Sequence, residues 1–179
     1  MQNAKGVTWD LSFLYGSVED PKINADLAKG DELSDKFVAA YRGKIANPAV
    51  DAKLLLAAIA DMEAIYRHAA APYHFASLKF SEDTQAPAHS ALLAQVQQKF
   101  TIIHNKMVFF NIELMEMPDD RAEAIIADPA FAKLSWWLKE ARKSKPFILS
   151  EKEEQVINIK DSNGKDALVQ LYEEYTSDF

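Results

Sequence analysis

Residues 48–80, PAVDAKLLLAAIADMEAIYRHAAAPYHFASLKF, decide the fold. Within them Leu55, Ile59, Met62, Tyr66, Ala69, Tyr73, Ala76 and Phe80 recur at alternating intervals of four and three. That spacing keeps one apolar seam along a long helix that packs lengthwise on a partner. Asn47-Pro48 reads as an N-cap followed by a first-turn proline, so the helix is expected over 48–80. Pro72 lies inside this run. It lacks an N–H, and its ring crowds the carbonyl four residues back, so a kink or break is expected near Ala71.

The same seam returns downstream. Leu92, Val96, Phe100, Ile103, Met107, Phe110, Leu114 and Met117 are spaced almost entirely by fours and threes. They define a second long helix over 85–117, joined to the first by the polar stretch SEDTQAP, 81–87. Two matching seams and a short connection predict a long antiparallel helical hairpin. At ~1.5 Å per residue each arm would reach ~45 Å, so an elongated helical domain is expected.

Outward from the hairpin, residues 20–45 carry a stripe of Leu27, Leu33, Phe37, Val38, Ala40, Tyr41 and Ile45. Gly30 interrupts it and marks either a joint between two helices or one weakened helix. Residues 1–19 show no helical period. They read as an extended arm ending near Gly16 and anchored by Trp9, Leu11, Phe13, Leu14 and Tyr15. Toward the C-terminus, Met117-Pro118-Asp119-Asp120 opens a helix to about Ala127. Asp128-Pro129 opens another that runs through Trp136 and Trp137 to about Ser144. Adjacent helical residues point ~100° apart, so one of these tryptophans should face a partner or groove rather than the core. Ser150 and Glu153 form a capping box, Asn163-Gly164 is a turn signal, and a last helix spans 165–175. No alternating strand pattern or repeat is present. The reading is a single all-α domain over 1–179.

The chain is 49% hydrophobic and 26% charged, with 5 Gly, enough apolar material to bury a core. A net charge of -7 and the absence of a basic block argue against a nucleic-acid or polybasic-membrane partner. There is no cysteine, so disulfides and thiolate chemistry are excluded. No signal-peptide or membrane-span stretch is seen, and a cytoplasmic protein is expected.

Catalytic motifs are missing. The histidines are His68, His74, His89 and His104, and none sits in an HExxH or Glu-x-x-His pattern. There is no GxSxG, GxxxxGK[ST] or GxGxxG. The carboxylates Glu151, Glu153, Glu154, Glu173 and Glu174 read as solvated helix faces. Tyr66, Tyr73, Phe80, Phe100, Phe109 and Phe110, at helical spacing, read as core rather than a cofactor slot. No catalytic, cofactor-binding or metal residue is assigned.

Five segments, in order along the chain, resemble the N-terminal lobe of oligoendopeptidase F-like zinc metallopeptidases, of thimet type. Trp9-Asp10-Leu11-Ser12 with Leu14-Tyr15 is similar to that family's W-D-L-S-x-L-Y opening. FVAAYRGKI (37–45) is similar to its F…YRGKL helix end, and HFASLKFSEDT (74–84) to its Y-A-x-L…D-T passage. FILSEKEE (147–154) resembles HxLSxxEE, with Phe147 and Ile148 in place of the polar pair. NGKDALVQLYEEYT (163–176) resembles G…A…LYxxLT. The resemblance implies a two-lobed peptidase in which zinc and the catalytic glutamate belong to a C-terminal lobe. The N-terminal lobe walls a channel for short peptides. The piece 1–179 is then expected to be truncated and inactive alone. It should bind no zinc itself, and it should present an apolar face that the C-terminal catalytic lobe covers and through which it would self-associate when free. The alternative is a standalone helical interaction or scaffold module.

Overall fold

The computed structural model describes residues 10–177; Trp9 and the rest of 1–9 lie outside it. Residues 10–19, expected as part of an extended arm, form successive turns. Leu14 and Tyr15 both donate their backbone N–H to the Leu11 carbonyl. Tyr15 is buried, Leu11 and Leu14 pack beside it, and Phe13 points outward, 76% exposed. Only part of the predicted anchor therefore reaches the core.

Helix α1 spans Pro21–Tyr41. Asp20 caps it, accepting from the Lys22 N–H at 2.9 Å and also from Gly16 N–H at 2.9 Å. Gly30 is not a joint. It is buried in a continuous helix, and a Cβ there would stand 3.4 Å from Ile103 Cδ1 and 3.5 Å from Ala69 Cβ. Those are ordinary van der Waals separations, so the position is closely packed without demanding a glycine.

Helix α2 spans Ala52–Glu82 and α3 spans Pro87–Glu116. The start of α2 lies later than Asn47-Pro48 suggested. Asn47 accepts from Ala49 N–H at 2.8 Å within a turn, while Asp51 makes the cap, accepting from Leu54 N–H at 2.7 Å. Asparagine serves an Asx turn as readily as a cap, and here it makes the turn, with Pro48, Ala49 and Val50 between it and the Asp51 cap. Pro72 is buried within an unbroken α2, so packing outweighs the lost hydrogen bond.

The long helices do not pair alone, because α1 packs on both α2 and α3. One apolar cluster draws on the C-terminal half of α1, the N-terminal half of α2 and the C-terminal half of α3, including Phe37, Leu55, Phe110 and Leu114. The other draws on the opposite halves, including Ile23, Phe75, Phe80 and Val96. The aromatic residues Phe80, Phe109 and Phe110 are buried, as the core reading required.

Helix α4, Asp119–Ala127, begins where the sequence placed it. The next expected helix is fragmented into a 3-10 turn at Pro129–Phe131, helix α5 at Ser135–Ala141, and a second 3-10 stretch at Arg142–Phe147. Short-range bonds from Phe131 N–H to Asp128 and from Leu134 N–H to Phe131 tighten the chain, and Phe131 is fully buried. Trp137 packs on the core and Trp136 is 72% exposed, the split that their adjacency demanded.

Helix α6, Glu151–Lys160, starts at the predicted capping box: the Ser150 hydroxyl accepts from Glu153 N–H, and the Glu153 carboxylate accepts from Ser150 N–H at 2.9 Å. Asn163-Gly164 does not turn the chain. Residues Asp161–Lys165 form a π-turn that passes directly into α7, Asp166–Ser177. Asn163 donates its amide to the Ile159 carbonyl at 2.9 Å, satisfying an acceptor within the widened turn. Gly164 meets nothing there. The described residues are mostly helical and contain no strand.

Candidate functional surface

The continuous segment α6–π–α7 differs from the rest of the molecule. None of its described residues is buried. Val156, Ile159, Leu168, Leu171, Tyr172 and Tyr175 are exposed, Leu168 at 67% and Tyr172 at 68%. Its N-terminal half packs on α3, where Gln155 and Asn158 donate to Asn105. Near its other end Gln85 donates to the Glu174 carbonyl at 3.4 Å. The segment therefore runs along α3 in the opposite direction and holds it mainly through amide contacts. An apolar surface of this extent on a helix marks an interaction site more often than a solvated face.

The segment is fastened to the body through YRGKI, residues 41–45. Tyr41 donates to Asp61 at 2.6 Å, and burial, with Asp61 beside it, pushes the phenol up to about 12. Arg42 makes a bidentate pair with Glu151, at 2.8 and 2.9 Å, and its guanidinium lies 4.4 Å from the centre of the Phe109 ring. The guanidinium holds the Glu151 carboxyl below its ordinary value. Gly43 takes φ 77°, a left-handed position suited to glycine just past a helix end. That bend turns three N–H groups toward the buried carboxylate of Glu113, which accepts from Gly43 at 2.6 Å, Ile45 at 3.0 Å and Ala46 at 3.4 Å. Sequence reasoning missed Glu113. Its signal was a lone carboxylate in VFFNIELM, 108–115, a run that is apolar apart from Asn111 and Glu113. Arg142 makes a second tie, donating to the Leu114 and Met117 carbonyls at 2.5 and 2.8 Å and to Asp119.

A cleft of about 260 Å³ lies between α3 and the π-turn. One side carries Tyr73, Phe100 and His104, with Tyr73 stacked on Phe100 at 5.3 Å and Phe100 nearly parallel to His104 at 6.4 Å. The other carries Asn158, Asp161, Ser162 and Asp166. Burial holds His104 below its ordinary value. Tyr73 and Phe100 are thus partly exposed walls rather than deep core, a departure from the reading of that stripe as wholly interior.

The histidines remain separate. His68 contacts Asp26 at 3.0 Å, which also accepts from Tyr15 at 2.9 Å. His74 is exposed beside Tyr73, and His89 contacts the Asp83 carbonyl at 3.2 Å. Among the carboxylates read as solvated, Glu151 and Glu153 have structural roles in the clasp and the capping box. Zinc, implied for the parent enzyme by the resemblance, finds no fitting donor set: among the described residues no three His, Asp or Glu side chains gather as ligands.

The fold and this surface define an all-helical lobe with an outward apolar helix. Residues 113–179 match the family model of the peptidase M3 N-terminal domain, described as Oligopeptidase F. The match begins at the end of α3, covers less than half of the chain, and supports a likeness to an oligoendopeptidase F-like N-terminal lobe. FILSEKEE and NGKDALVQLYEEYT lie inside the matched residues, whereas the three earlier motifs precede them. No curated protein and no solved structure matches the chain. No helix among the described residues is long and apolar enough to cross a membrane.

Proposed function

We propose that the chain is the channel-forming N-terminal lobe of a cytoplasmic, zinc-dependent oligoendopeptidase that hydrolyses short peptides. The supporting observation is a coincidence of position: the residues that match the oligopeptidase F model include the helix whose apolar side is uncovered. In this reading the C-terminal catalytic lobe covers α6–α7, supplies the metal ligands and the general base, and closes the channel. The 179 residues position and confine peptides and perform no bond cleavage. Alone, they self-associate through α6–α7. Nucleic acid and membrane are not partners.

The test is the reading frame after codon 179. An open frame reaching HExxH and a later glutamate supports the lobe, and a stop codon overturns it. Peptide turnover by the pure 179-residue chain with stoichiometric zinc would overturn its inactivity. The second reading, a scaffold module, is favoured by Trp136 and Phe147, exposed at 72% and 80% on another part of the surface. It gains support if the frame closes and a partner protects those two side chains.

A further inference from the structure

We propose that the cleft between Phe100 and the π-turn is a subsite for the cationic group of a short peptide, a guanidinium or an ammonium, held between an aromatic wall and two aspartates. This rests on the peptide-channel reading above and names the peptide chemistry that the lobe selects.

The aspartates come first. Asp161 and Asp166 are five residues apart, and in a regular α-helix they would point about 140° apart. Here Asp166 N–H bonds to the Asp161 carbonyl, closing the π-turn, and both residues line the same cleft. Such single-turn insertions weaken a helix and are frequent at functional sites. Both aspartates are exposed, and neither enters an ion pair among the described residues. No lysine or arginine lines the cleft itself; Lys160 and Lys165 adjoin the two aspartates along the chain but are not among the lining residues.

The opposite wall suits the same ligand. Tyr73 and Phe100 line this side of the cleft, and an aromatic ring attracts a cation that comes within about 6 Å of its centre. His104, kept toward its neutral form by burial, adds no opposing charge, and the Asn158 amide lies 3.4 Å from its Nδ1. A cleft of about 260 Å³ admits a side-chain head group. It falls below the ~300–1,000 Å³ usual for sites that enclose drug-sized ligands and cofactors.

The experiment titrates the 179-residue chain with three tripeptides and follows the ring resonances of Tyr73, Phe100 and His104 by NMR. The probes are Ala-Arg-Ala blocked at both ends, its citrulline counterpart, and Ala-Ala-Ala with a free amino terminus. The blocked arginine peptide is expected to shift all three rings, and the citrulline peptide is not. A shift with Ala-Ala-Ala would assign the peptide amino terminus as a second source of the cation. Asp161→Asn with Asp166→Asn should weaken arginine-peptide binding roughly fivefold or more. Equal response to arginine and citrulline, no ring response, or binding undiminished in the double variant would each overturn the subsite. The lobe reading fails separately, at a stop codon after residue 179.

Discussion

The three-helix body and the α6–α7 segment are both regular helix, yet they are held by different forces. In the body, Phe37, Leu55, Phe110 and Leu114 are buried at 2% exposure or less, and three helices share them. Along α6–α7 no described residue is buried, and amide contacts and one arginine–glutamate pair connect it to the rest. Burial of a large apolar side chain contributes about 1.5–3 kcal/mol, whereas a partly exposed ion pair contributes about 0–1 kcal/mol. Helix content therefore says little about which part of this molecule is stable. The body is a finished core. The segment has an apolar face suited to a surface that the isolated chain does not supply.

The sharpest way to break this contrast is a pair of truncations. Phe110→Ala should destabilise the chain by about 3–5 kcal/mol in urea unfolding, since it leaves a cavity in the shared core. Leu168→Ala should change the same transition by less than about 0.5 kcal/mol. Comparable losses at the two sites would abolish the distinction. Glu113→Ala comes next. It strands three backbone N–H groups at the α1 end, and about 2–4 kcal/mol of destabilisation is expected, read from the urea midpoint. Gly43→Ala forces an L side chain into φ 77° and should cost about 1 kcal/mol by the same assay.

The smallest global effect and the most local one belong to the clasp. Arg42→Ala should lower overall stability by no more than about 1 kcal/mol, because both side chains are partly exposed, while speeding amide exchange in α6. The same release should follow pH. Glu151 is held below its ordinary value of 4.5 by Arg42, so the pair contributes fully above that value and is lost as pH falls through the lower folded value. Exchange in α6 relative to α2 should therefore rise as pH falls below about 4.5, and Arg42→Ala should flatten that rise.

The helices were legible because burial imposes the three-and-four spacing of Leu55 through Phe80 and Leu92 through Met117 directly on the sequence. Their ends were harder to read, since Asn47 and Asp51 are both competent caps and only the surrounding packing chooses between them. Of the alternatives at Pro72 and Gly30, a break and a joint are the ones the structure does not show, since α2 and α1 run on through them. Asn163-Gly164 has the composition of a turn, but an amide that can bond back to Ile159 and a glycine without crowding also suit a π-turn. The surface was partly legible. The adjacency of Trp136 and Trp137 required one to face outward, and the capping box at Ser150 placed α6. The partners of Arg42 and Glu113 were not legible, because they join positions about 70 to 110 residues apart and no local period records such a pairing. The cleft was hidden for a related reason: Tyr73 and Phe100 occupy seam positions, and only the π-turn brings Asp161 and Asp166 opposite them.

The central claim is that α6–α7 is an interface element resting on a body that is stable without it. Native-state hydrogen exchange on the 179-residue chain tests this most directly. The account predicts that α2 and α3 amides exchange only through global unfolding, whereas those of α7 exchange through local opening, at least about a hundredfold faster. Equal protection of α7 and the core of α3 in a monomer would contradict it.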